Sequence, residues 1–115
     1  MAYYDIFLAP VSAEKRADYD AFLKASHAMI LGYGATQVVD LWGDDVNEGK
    51  LTSLPMAVKL EEGEAVTAGW IIWPSKEIRD AGWGKMMSEE PEMELPFDGK
   101  RMIFGGFAEM LVSGS

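Results

Sequence analysis

The chain has 115 residues, 49% of them hydrophobic and 11% aromatic, the composition of one globular domain with an ordinary core. It has no cysteine, which excludes disulfides, thiolate nucleophiles, iron–sulfur clusters and thiolate zinc sites. Ten basic against nineteen acidic residues leave a net charge of −9, a surface that repels nucleic-acid backbones and anionic lipid.

Residues 3–9 carry aromatic and aliphatic side chains up to Pro10 and predict a strand, with Asp5 out of character inside it. Ser12 is placed as an N-cap and Glu14 in a first helical turn. Tyr19, Phe22, Ser26, Met29, Ile30 and Tyr33 recur at steps of three or four, which predicts an amphipathic helix over 12–33 closed by Gly32 and Gly34. Residues 35–43 return to strand character around Asp40, and 43–50 read as a polar turn. A short strand over 56–60, containing Lys59, and a second over 65–73 are expected to form a hairpin across Glu61–Glu64.

Ser75 offers an N-cap for a second helix to about Ser88, with Gly82 and Gly84 inside it leaving room for close approach. Residues 89–99, with Pro91 and Pro96, read as a loop. Residues 101–112 predict the last strand, its Gly105–Gly106 pair marking a bulge or a close contact. The order is β-α-β-β-α-β, the ferredoxin-like unit, in one α+β domain over residues 1–115. An antiparallel sheet then carries two helices on one face. The strands are apolar at both parities, so the second face also calls for cover, and a second copy of the chain supplies it.

Several segments resemble those of one family: Gly43-Asp44-Asp45-Val46, Gly49-Lys50, Ala57-Val58-Lys59, Trp70-Ile71 and Pro74-Ser75-Lys76. The longest and most specific is the run Pro96-Phe97-Asp98-Gly99-Lys100-Arg101-Met102-Ile103-Phe104-Gly105-Gly106-Phe107. On these residues the chain is similar, over nearly its whole length, to the bacterial YbaA-like family of unknown function, DUF1428, within the dimeric α/β-barrel superfamily. The resemblance implies a ferredoxin-like protomer whose sheet closes a barrel with its mate. It brings no established activity. The wider superfamily includes small monooxygenases and stress-responsive ligand binders, which is an analogy of fold and does not fix function.

Four charges lie in predicted strands: Asp5, Asp40, Lys59 and Arg101. Enclosed charges must pair, either as an ion-pair network fixing register or as a polar site with an acid or base tuned by burial. His27, the one histidine, falls at the edge of the apolar stripe of the first helix, as a packing residue or as a ligand-binding or basic group. Trp42, Trp70, Trp73 and Trp83 can stack on a planar ligand. Trp70 reads better as core or interface, and Trp83, between two glycines, as the wall of a partly open pocket. Met86, Met87 and Met93 are gap-fillers or an adaptable lining. Asp44, Asp45, Asn47 and Glu48 lack the spacing of an EF-hand loop and read as a solvated turn.

No metal or cofactor is implied, and the N-terminal residues carry no signal-peptide pattern, so a cytoplasmic protein is expected, with neither nucleic acid nor membrane as partner. Two functions stay open. One is a homodimeric small-molecule binder or stress-related accessory protein with an apolar ligand. The other is a cofactor-independent monooxygenase- or isomerase-like enzyme, with Asp40 or Asp5 as base and Arg101 or Lys59 stabilising developing negative charge. The enzyme requires a carboxylate of raised pKa in an open cavity, and the charges of a binder or scaffold would be paired and closed. Solvent-exposed Asp5 and Asp40 would remove the enzyme.

Overall fold

The computed structural model describes residues 1–89 and 94–114. Four antiparallel strands make one sheet: β1 (Tyr3–Ser12), β2 (Gln37–Trp42), β3 (Glu64–Trp73) and β4 (Ile103–Ala108), in the order β2-β3-β1-β4. Helix α1 (Arg16–Gly32) connects β1 to β2, the one-turn helix α2 (Leu54–Ala57) precedes β3, and α3 (Lys76–Glu89) follows it. The central pair β1·β3 runs in register from Tyr3↔Trp73 to Ser12↔Glu64.

The period-2 pattern sorts the sheet into two faces. Tyr3, Asp5, Phe7, Ala9 and Val11 of β1 share a face with Thr67, Ile71 and Trp73 of β3 and Val38 of β2. Both long helices pack there: Ile30 of α1 and Met86 of α3 join Ile71 and Trp73 in the buried core. Trp73 and Val11 are wholly enclosed. The opposite face carries Ile6, Leu41, Ile103 and Phe107, 42%, 48%, 41% and 54% exposed, and none of the described helices covers it.

Four sequence expectations are corrected. Pro10 does not end β1. It pairs with Val66, whose carbonyl accepts from Gly43 N–H, and it lies beyond the last β1·β4 pair, Leu8↔Ile103. The missing proline donor therefore breaks no ladder bond, the condition under which a strand tolerates proline. Ser12 belongs to β1 and its side chain makes no cap; a 3₁₀ turn over Ala13–Lys15 precedes α1.

Residues 56–60 are not a strand, so they form no hairpin with β3. Ser53 caps α2, its Oγ accepting from Met56 N–H at 3.1 Å, and Pro55 suits the first turn, where its absent N–H costs nothing. Lys59 follows at φ 51°. Finally, β4 stops at Ala108 because β1, its strand partner, begins at Tyr3 opposite it; Arg101 lies in a 3₁₀ turn before β4 and not within a strand. Beyond β4, Met110 and Leu111 are 96% and 83% exposed.

Other expectations hold. Ser75 Oγ accepts from Ile78 N–H at the start of α3. A Cβ on Gly82 would stand 2.9 Å from the Trp73 ring and 3.1 Å from the Tyr33 carbonyl, so the glycine lets α3 seat on the central strand. The close approach is to Trp73, while a Cβ on Gly84 would meet open space. Gly106 stays in register opposite Asp5 without a bulge, and a Cβ there would meet the Tyr3 hydroxyl at 2.5 Å. Pro91 and Met93 lie outside the described residues. No helix among the described residues is long and apolar enough to cross a membrane.

Candidate functional site

Two strand aspartates are buried, and their surroundings differ. Asp5, 6% exposed, sits mid-β1 beneath α3. Its Oδ2 accepts from Trp73 Nε1 at 2.9 Å and Trp83 Nε1 at 2.8 Å. Its Oδ1 accepts from Arg79 Nε at 3.1 Å and Nη2 at 2.7 Å. Arg79 and Trp83 stand four residues apart on α3, one turn, so one helix face delivers both donors. The guanidinium also lies over the Tyr3 ring, 5.2 Å to its centroid, and reaches Asp80 at 3.0 Å. Hydrogen bonds to Asp5 hold the Arg79 guanidinium above its ordinary pKa against the opposing effect of burial. Both oxygens of Asp5 are saturated by protein donors.

Asp40, on edge strand β2, keeps its side chain 7% exposed. Its Oδ2 meets His27 Nε2 at 2.6 Å, across from the second half of α1. Its Oδ1 is buried and has no hydrogen-bond partner among the described residues. A buried carboxylate oxygen without a donor is costly, and native folds rarely leave one. Asp40 lines a cleft of roughly 140 Å³ with Arg16, Tyr19 and Leu23 of α1 and Leu41 and Trp42 of β2. Arg16 lies over the Trp42 indole at 4.6 Å from the ring centre. The buried Tyr19 hydroxyl donates to Thr67 Oγ1, which donates to the Ala9 carbonyl. Burial pushes the Tyr19 phenol pKa up, Thr67 pulls it down, and the Asp40 charge adds to the rise.

Arg101 makes a third centre, closed like the first. It meets Glu64 in a fork, Nη1 to Oε1 at 2.7 Å and Nη2 to Oε2 at 2.8 Å, and reaches Asp98 through Nε at 2.9 Å and the Lys59 carbonyl at 3.0 Å. Planar fork-to-fork pairing of this kind fixes geometry as well as charge. It ties the turn before β4 to the start of β3. The Arg101 hydrogen bonds hold the Glu64 carboxyl below its ordinary range, against desolvation.

A protein-family model described as "Protein of unknown function (DUF1428)" matches residues 2–105. The chain belongs to the DUF1428 family. It is 44% identical over 116 residues to "Uncharacterized protein YbaA" of Escherichia coli strain K12, covering 96% of this chain and 98% of that one. The protein of the same name from Shigella flexneri is similar to the same extent. The resemblance carried by the Pro96–Phe107 run thus holds, and the function of the DUF1428 relatives is as open as their names say.

Within this DUF1428 chain the expected site residues scatter. Asp40 and Trp42 come together at the cleft, and His27 meets Asp40 through its Nε2. Asp5 and Trp83 come together elsewhere, the Trp83 indole N–H donating to the Asp5 carboxylate. Arg101 is engaged with Glu64. Lys59 contributes its backbone carbonyl to Arg101, and its side chain is exposed. Trp70 lies on the uncovered sheet face, opposite Ile6 of β1 and Val39 of β2. Asn47 accepts from Gly49 N–H at 2.7 Å within the acidic turn.

Sequence reasoning missed Arg16, Tyr19 and Arg79 as site residues. The signal for Arg79 was present: a strand aspartate needs a cation, and Arg79 with Trp83 forms an i, i+4 pair on the helix after the central strand. Tyr19 belongs to the apolar stripe of α1 in sequence and is buried in the fold. Its link to Thr67 spans 48 residues of sequence and leaves no local trace.

Proposed function

We propose that this chain is a ferredoxin-like protomer that pairs through its uncovered sheet face into a homodimeric α/β barrel, and that it binds a small molecule at the cleft that Asp40 lines between α1 and β2. One observation carries the binding reading: the cleft between α1 and β2, where Asp40, a carboxylate with one buried oxygen lacking a partner among the described residues, shares the lining with Arg16, Tyr19, Leu23 and Trp42. Trp42 and Leu23 give a ligand an apolar bed, and Arg16 and Asp40 give the same lining polar groups. The pairing rests on the strand order, with β1 and β3 central, and on the exposed apolar row Ile6, Leu41, Ile103 and Phe107. A contiguous apolar face of that kind marks an interaction surface.

Asp40 at a cleft is also the placement set out above for the enzyme, while Asp5 and Arg101 are paired and closed as set out for the binder, so the enzymatic alternative survives in narrower form. Asp5 and Arg101 are saturated and have no capacity left for a substrate. The 2.6 Å His27–Asp40 contact is the arrangement of a base with its orienting carboxylate, so an isomerase-like proton transfer would fall to His27 with Asp40 behind it. Native mass spectrometry tests the main reading. The expected species is a dimer carrying a small-molecule adduct that Asp40→Asn protein lacks. A monomer refutes the barrel, and an adduct retained by Asp40→Asn moves the ligand away from the cleft. Chemical conversion of the released molecule by fresh protein would favour the enzyme over the binder.

A further inference from the structure

The two halves of the function proposed above, the cleft and the paired sheet face, meet at Leu41, and the inference drawn from that meeting rests on both. Leu41 belongs to the lining of the cleft, between Asp40 and Trp42 in β2. By the alternation of the strand its side chain stands on the bare sheet face, 48% exposed, while Asp40 and Trp42 belong to the helix-covered one. Because β2 is an edge strand, the cleft lies where the two faces of the sheet meet. A body laid on the bare face as far as Leu41 stands at the border of the cleft.

The bare face suits a second copy of the chain. Its strand positions carry one charged side chain, Glu64, and that one is held by Arg101. Two chains of net charge −9 can therefore meet there without bringing like charges together. Strands of 10, 6, 10 and 6 residues present about 500 Å² of sheet in plan, at about 3.3 Å per residue and about 4.8 Å between strands. Two copies face to face cover about 1,000 Å², the size that a specific interface needs.

The strand registers decide what meets what. Leu41 pairs with Ala68, Ala68 with Leu8 and Leu8 with Ile103, so Leu41 and Ile103 stand at one level on opposite edges. Val39 and Gly105 stand likewise at the next level, and Gln37 and Phe107 at the third. A two-fold axis across the strands would set each strand on its own copy, with Leu41 against the polar Gln37 and one Gly105 above the other, leaving a void. An axis along the strands sets β2 on the partner's β4. Leu41 then meets the partner's Ile103, Val39 fills the space over the partner's Gly105, and Gln37 comes to the end of β4 where the partner's Glu109 offers an acceptor. Apolar against apolar and large against small select the second arrangement.

We infer that the cleft is a site shared between two copies: the second copy lays the start of its β4, at the partner's Ile103, over Leu41 and closes the side of the cleft that a single chain leaves open. A ligand held there touches both chains, so occupancy and pairing strengthen each other.

The chain has no cysteine, so an introduced thiol is a unique labelling point for the test. Lys100, exposed and three residues before Ile103, is replaced in the full chain (Lys100→Cys) and carries a nitroxide. These copies are mixed with isotope-labelled copies of the unaltered chain, so any broadening in the NMR spectrum passes between chains. The expected result is loss of the Leu41 and Leu23 methyl signals. Broadening at other residues with those two intact leaves a dimer and overturns the shared cleft. No broadening at any residue overturns the shared cleft and the homodimer together. A second measurement uses Ile103→Asp, which should yield a monomer in which a neutral, soluble nitroxide weakens the Leu23 signal more than in the parent dimer. Equal weakening means that one chain completes the cleft alone, and a dimer that withstands Ile103→Asp puts Ile103 outside the interface; either result overturns the proposal.

Discussion

Asp5 and Asp40 are both strand aspartates, both nearly inaccessible, and both on the helix-covered face of one sheet, yet they are opposite in kind. Asp5 lies on a central strand and receives donors from β3 and from α3. Asp40 lies on an edge strand and receives one, from His27. Burial alone therefore does not distinguish structure from site. The count of satisfied oxygens does, and position in the sheet decides that count: a central strand has helix and strand neighbours to supply donors, while the edge borders an opening. A carboxylate with every lone pair engaged can hold a fold together but has nothing left for a ligand.

Substitutions can break that contrast. The largest effect is expected at Asp5. Asp5→Ala would strand two indole N–H groups and a part-buried guanidinium, and losing one partner of a buried charged set costs about 3–5 kcal/mol. Urea denaturation should show it as a marked fall in midpoint, and an unchanged midpoint would mean the network does not stabilise the fold. Gly82→Ala comes next, because the new methyl group would press on the Trp73 ring and the Tyr33 carbonyl. Overpacking of this kind costs about 1–3 kcal/mol, readable in the same unfolding curves, with Gly84→Ala as the neutral or mildly stabilising control.

Asp40→Asn should move stability by less, within about 1 kcal/mol, because weakening the His27 bond is offset by removing a buried negative charge. A loss as large as that of Asp5→Ala would erase the distinction between the two centres. The subtlest effect concerns acid. The Glu64 carboxyl is lowered by Arg101, so its contribution to stability is complete above the unfolded-state value near 4.5 and is lost as the pH falls through the lower folded-state value. Stability measured against pH should fall less steeply on the acid side in Arg101→Gln than in the parent chain. Parallel curves would mean that the fork adds no linkage.

Much of the fold was legible, for identifiable reasons. Strands β1 and β3 announce themselves by β-branched and aromatic residues, and α3 by Ser75 and its following turn. The 56–60 segment misled because four apolar residues around Lys59 read equally well as a strand or as a short helix, and the cap that decides, Ser53, lies outside the apolar run. Pro10 misled because tolerance of proline depends on where β4 ends, a fact held about a hundred residues away in sequence. The pairing of His27 with Asp40 was half visible, each being an oddity of its own element. The closure of Asp5 by Arg79 and Trp83, 74 and 78 residues on, required the β1·β3 register to be known.

The four tryptophans are distributed one surface at a time. Trp73 and Trp83 touch the same carboxylate, their rings 6.4 Å apart. Trp42 lies under Arg16 at the cleft. Trp70 looks out from the bare side of the sheet. The molecule thus carries a built-in fluorophore for each of three separate events. Emission from the coupled indole pair reports the docking of α3, quenching of Trp42 would report a ligand placed in the cleft, and a blue shift of Trp70 would report cover of the bare sheet face. Single Trp→Phe exchanges would separate these signals, so that folding, binding and assembly can be timed in one chain without any added label.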